Sequence, residues 1–129
     1  MPSFSRPLMV LAWLVVAGVM LQALLAGQAQ FVSPELFALH GGIGHGVLLV
    51  SVLLATFTWL AGTRRVTAVL ATLSTLALIG QTGLGYAGRR GQIAEASAAH
   101  VPLGVAVLGV SVAVAVLLSV AGDRAEATG

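Results

Sequence analysis

The chain has 129 residues, of which 58% are hydrophobic and only 8% charged, and its mean hydropathy is +1.03. A soluble domain wets its surface with about a quarter charged residues, so this composition excludes one. Six arginines against four acids, with no lysine, leave a net charge of +2, too little for a nucleic-acid footprint; the absence of cysteine excludes disulfides, thiolate clusters, Cys-ligated zinc and covalent haem attachment.

The length predicts one domain, and four apolar runs in it are long enough to cross a bilayer, whose core demands about 20 residues. Lipid provides no partner for free backbone groups, so each run reads as a helix and the fold as an all-α, integral membrane four-helix bundle. The first helix spans residues 8–27. Arg6, the apolar run and the small residues Ala26-Gly27-Gln28-Ala29 also have the layout of a cleaved signal peptide. The run is longer than a usual signal core and has a counterpart later in the chain, so we read it as retained. The second helix, residues 36–61, follows Ser33-Pro34-Glu35, which reads as a capping serine, a first-turn proline and an acid at the positive end of the helix dipole. Arg64 and Arg65 punctuate the connection to the third helix, residues 66–86, and Gly88 to Gln92 the connection to the fourth, residues 98–121. Residues 122–129 read as a short polar tail. Arg6, Arg64, Arg65 and Arg124 fall on one side and Arg89 and Arg90 on the other, so the positive-inside rule puts both termini in the cytoplasm. The lysine-free, Ala-, Val-, Leu- and Gly-rich composition fits a bacterial chain, hence the inner membrane.

The chain repeats itself. A shift of 60 residues lays His40-Gly41-Gly42-Ile43-Gly44 over His100-Val101-Pro102-Leu103-Gly104, and Val47, Leu48, Val50, Ser51 and Val52 over Val107, Leu108, Val110, Ser111 and Val112. Glu35 falls on Glu95, and with a one-residue slip Gln22 falls on Gln81. Coincidences of Ala, Leu and Val are cheap in such a sequence; shared Glu, His, Gly and Ser at one offset are not. Two hairpins that each cross twice must point the same way, so the bundle is expected to be two parallel repeats about an axis along the membrane normal. His40 and His100 then sit at matching depths near the outer ends of helices two and four.

An ionisable side chain at that depth is costly and marks function by default. Two histidines related by the axis of a bundle reach one central object from opposite sides, and haem iron accepts two axial imidazoles in that arrangement. His40 and His100 are therefore the candidate ligands of one haem. Gly44 and Gly104, one turn further along the same faces, would let a flat macrocycle lie close. Arg89 and Arg90 are candidate partners of its propionates.

Each residue has a plainer reading as well. A buried histidine often bonds only to a neighbouring helix, and helix-interface glycines are ordinary packing. Gln22 and Gln81 read as interhelical hydrogen bonds before ligand contacts, Glu35 and Glu95 as acids near helix starts, and Arg89 and Arg90 as interfacial anchors. His45 breaks the repeat, its counterpart being Val105, and it points about 140° away from His40 around the helix. It is expected to face a neighbouring helix rather than touch a second cofactor, a quinone or a proton path.

At these residues a resemblance enters. Gln81-Thr82-Gly83-Leu84-Gly85, a short loop and then Ala99-His100 opening the next helix resemble one half of haem A synthase. The resemblance implies a four-helix haem-binding bundle with His40 and His100 as axial ligands of haem b. The family's ligand histidine followed by arginine, with a glutamate three residues before it, is not matched: Gly41 follows His40, and Glu35 stands five residues upstream. Methyl oxidation of haem is therefore not implied. Gln22 to Gly27, then Leu39-His40 and Gly44, are similar to small uncharacterised four-helix bacterial membrane proteins, which bring no known activity.

Three classes of function follow: a haem-binding membrane protein for electron transfer or haem handling, a cofactor-free accessory or assembly subunit of a larger membrane complex, and a metal-binding or transport protein using His40, His45 and His100. The third lacks a helix-buried acid to neutralise a divalent ion. Partners in the expectation are the bilayer, a redox partner or quinone, a larger complex and a second copy of the chain. No nucleophile–base pair or phosphate loop is visible, and whether the chain is an enzyme is left open. The serines and threonines lie inside helices, where bonding to the backbone is their usual role.

Overall fold

The computed structural model describes residues 5–127, and of residues 5 and 124–127 the backbone alone. The described residues fold into four helices: α1 (Ser5–Phe31), α2 (Leu36–Leu60), α3 (Arg65–Arg89) and α4 (Ala94–Ala127). Each is long and apolar enough to cross a membrane. At a rise of about 1.5 Å per residue even the 25-residue helices reach about 37 Å, more than a hydrocarbon core of about 30 Å. Large apolar side chains line the perimeter (Leu49 is 61% exposed and Val105 69%), whereas the centre is packed mostly with Ala, Val, Ser and Thr, joined by a few leucines such as Leu8, Leu54 and Leu118. This is the pattern for helices that meet inside lipid, where small residues allow close approach and solvent does not sort the faces.

Each helix packs against two neighbours, α1 on α2 and α4, α3 on α2 and α4, so α1–α3 and α2–α4 are the diagonals of a square. The repeat governs packing as well as sequence. From His40 to Leu54 and from His100 to Val114, the succession of buried, half-buried and exposed positions is the same residue for residue. On the odd helices, Leu8, Ala12, Val15, Val16 and Val19 are buried, and so are Thr67, Ala71, Ser74, Thr75 and Leu78, their partners at an offset of 59. The fold is thus two parallel-repeat hairpins. α1 forms one wall of this bundle, packed against α2 and α4.

The helix ends depart from expectation. α1 continues to Phe31, and the Gln28 carbonyl closes it by accepting from the N–H groups of Val32 and Ser33. At the start of α2 no side chain caps the helix, and the Ser33 carbonyl, not its hydroxyl, accepts from Leu36 N–H at 3.0 Å. α2 stops at Gly62, whose φ of 64° lets Thr63 N–H turn back to the Thr58 carbonyl. α4 begins at Ala94, with Glu95 in its first turn, because the loop before it is only four residues long. The expected tail is helical through Ala127, and residues 128 and 129 lie outside the described residues.

Buried hydroxyls tie the middle of the bundle together. Ser51 and Thr75 hydroxyls are 2.7 Å apart across α2–α3, Thr75 also donates to the Ser51 carbonyl, and Ser74 and Ser111 hydroxyls are 2.9 Å apart across α3–α4. Two tryptophans add bonds between the hairpins: Trp13 donates to Ser119 on α4, and Trp59 to Thr72 on α3. The remaining hydroxyls follow the expected habit, Thr56, Thr72, Thr82 and Ser119 each donating to a carbonyl one turn back.

Candidate functional site

His40 and His100 meet across the α2–α4 diagonal, at the end of the bundle that carries Arg89. Their ring centres are 6.3 Å apart, with the planes inclined at 63°. Both rings are held from the adjoining odd helix, and in the same way. His40 Nδ1 is 3.1 Å from the Gln22 carbonyl oxygen on α1, and His100 Nδ1 is 2.9 Å from the Gln81 carbonyl oxygen on α3. A carbonyl only accepts, so Nδ1 carries the proton in each neutral ring and Nε2 keeps its lone pair. A backbone carbonyl bound to the far nitrogen is the usual support of a metal-ligating histidine, since it fixes tautomer and ring orientation together.

The space beside the two glycines holds glutamine side chains. A Cβ on Gly44 would stand 3.3 Å from the Gln22 side-chain oxygen, and one on Gly104 would stand 2.9 Å from the Gln81 side-chain nitrogen. The two glutamine amides therefore occupy the space that the glycines leave. Each glutamine acts twice, its carbonyl bonding the histidine and its side chain lying on the glycine one turn beyond. The interhelical hydrogen bond expected of these residues runs through the backbone. Gln22 Nε2 and Gln81 Oε1 are buried without a partner, one spare donor and one spare acceptor beside the two histidines. Gly85, a turn along α3 from Gln81, is a third close contact, for its Cβ would lie 3.2 Å from His100 Cε1.

The arginines cover this end. The Arg89 guanidinium lies 4.3 Å from the centre of the Phe37 ring, which is one turn before His40 on α2, and Arg90 lies 4.8 Å from the Tyr86 ring. Stacked guanidinium groups retain donors at their edges, so both still offer forks to an anion. Glu35 and Glu95 lie at helix starts, as expected of acids beside the dipole.

His45 turns away from the central pair and faces α3. Its Nδ1–H donates to the Gly41 carbonyl at 2.7 Å, and Tyr86 O–H donates to its Nε2 at 3.2 Å. The three histidines do not share one centre, and among the described residues no group of three or more His, Cys, Asp or Glu is arranged to hold a metal ion. Sequence alone did not single out Phe37 or Tyr86, and it named Gly85 only as the last residue of the Gln81 motif. Tyr86 directly follows that motif and stands one turn before Arg89 and Arg90, which was the available signal, whereas Phe37 has no arginine near it in the chain.

Two imidazoles trans on one metal, with metal–nitrogen bonds of about 2 Å, place their ring centres about 6 Å apart. The His40 and His100 ring centres stand 6.3 Å apart, a spacing of that order, and each Nε2 keeps its lone pair.

Among families, a family of unknown function (DUF6220) matches residues 22–87, just over half of the chain, a span that includes His40, His45, Gln81 and Tyr86 and stops short of His100. No curated protein and no solved structure matches.

Proposed function

The chain belongs to this family, DUF6220, and we propose, on the geometry of its two central histidines, that it is a membrane-embedded b-type haem protein with His40 and His100 as axial ligands. The observation that carries the reading is the pair of imidazoles across the bundle diagonal, each fixed by a backbone carbonyl at Nδ1 and each keeping Nε2 free. Haem, when bound, supplies a one-electron couple, which suits electron transfer or haem handling. This chain's own residues do the rest. Gln22 and Gln81 hold the ligand rings in one tautomer and orientation. Gly44 and Gly104 leave the space that the glutamine side chains fill. Arg89 and Arg90 offer their guanidinium edges to propionates at the same end. By the positive-inside rule we read that end as the outer side of the membrane, with both termini in the cytoplasm, and the composition as that of a bacterial inner-membrane protein.

The test is an absorption spectrum of the detergent-purified protein, oxidised and then dithionite-reduced, beside His40→Ala and His100→Ala. A Soret band with sharp reduced α and β bands, lost in both variants, is the expected result. A colourless but folded protein from haem-sufficient cells sinks the haem reading and leaves a cofactor-free accessory subunit as the better one.

A further inference from the structure

His45 and Tyr86 form a polar pair that the repeat does not require. The matching seam, between α4 and α1, carries Val105 and Gly27 at their places. His45 lies nine residues into α2, about 13 Å from its first residue and so within the hydrocarbon layer. Side chains of its kind at this depth ordinarily face the bundle interior. His45 is exposed on the perimeter instead, and so is Tyr86. A tyrosine near a membrane edge ordinarily presents its hydroxyl to the headgroups, yet the Tyr86 hydroxyl is turned to His45. The Arg90 guanidinium lies 4.8 Å from the Tyr86 ring, and the helix surface on the His45 side of the pair is open. Beside His45, Gly41, Gly42 and Gly46 have nothing within 4 Å of where a Cβ would stand, and neither has Gly83 on α3.

We propose that this pair is the headgroup site of a lipid-soluble hydroquinone. The occupant must come from the membrane, because the pair opens onto its hydrocarbon layer. It must be flat enough to lie on the bare glycine backbone. It must also satisfy a donor and an acceptor that now satisfy each other. The Gly41 carbonyl holds His45 as the Nδ1–H tautomer, so its Nε2 only accepts, while Tyr86 O–H donates. A hydroquinone hydroxyl inserted between them donates to His45 Nε2 and accepts from Tyr86. A quinone carbonyl accepts only, which leaves Nε2 without a donor, so the reduced form binds more tightly. Both residues lie outside the haem ligands, and the site does not depend on the haem reading.

The experiment is isothermal titration of the detergent-purified full chain with decylubiquinol under dithionite and with decylubiquinone in air, for the native chain, Tyr86→Phe and His45→Val. The valine is the residue that the repeat carries at position 105, so the second variant keeps the fold. Saturable binding of one quinol per chain is expected, weaker by about tenfold in each variant and for the quinone, as one lost hydrogen bond implies. Unsaturable partition alone, equal affinity in all three proteins, or a preference for the quinone would overturn the proposal. The Soret band of the same samples reads haem separately, so loss of one reading is distinguishable from loss of the other.

Discussion

Gly85→Ala is the sharpest test of how the histidines are held. The new Cβ would stand 3.2 Å from His100 Cε1 and 3.6 Å from Nδ1, whereas carbon atoms settle at about 3.5–4.0 Å. The ring must therefore yield by a few tenths of an ångström. It cannot slide freely along α3, because Nδ1 is tied to the Gln81 carbonyl at 2.9 Å. Moving it costs about 0.5–1.5 kcal/mol in rotamer strain and puts at risk a hydrogen bond of about 1 kcal/mol. Against this, alanine is the better helix former by about 1 kcal/mol. Gly83→Ala removes that offset from the comparison, since it lies in the same helix two residues away and its Cβ meets nothing within 4 Å. Gly85→Ala should accordingly be less stable than Gly83→Ala by about 1–2 kcal/mol. Reversible unfolding in mixed detergent micelles measures the difference. Equal stabilities would refute the claim that His100 is pinned between Gly85 and Gln81.

Two further substitutions probe packing and backbone. Gly18→Ala drives a Cβ to 2.5 Å from Val47 Cγ2, a buried β-branched side chain with little rotamer freedom, so unfolding should show a loss of about 1–3 kcal/mol, while Gly109→Ala, which meets nothing within 4 Å, should show none. Gln92 has a φ of 53°, a conformation costing a side chain about 1 kcal/mol, so Gln92→Gly should raise stability by up to that amount in the same assay; a fall would show that the Gln92 side chain holds the α3–α4 loop.

The repeat reads well where the two copies share a residue type, and poorly where they divide a role. His40 and His100, Gln22 and Gln81, Ser51 and Ser111 stand out because both members are polar and alike. The tryptophan bonds do not. Trp13 aligns with Thr72 and Trp59 with Ser119, so the same seam position has its donor on the odd helix in one copy and on the even helix in the other. No comparison of residue types reveals that. Ser74 and Thr75 are hidden similarly, since their counterparts Val15 and Val16 are apolar. The glycines were legible as small residues on the histidine face, but their occupant was not.

Membrane insertion and helix number were decided along the chain itself. Transfer of apolar segments into lipid and the need to satisfy every backbone group within a segment are local properties, additive residue by residue, so four runs meant four helices. The rotation of each helix about its own axis is another matter. Lipid is as apolar as leucine, so no solvent contrast marks the inward face, and close packing of small residues sets it instead. That rotation alone brought His40 to His100, put the glutamine amides on Gly44 and Gly104, and turned His45 outward to Tyr86.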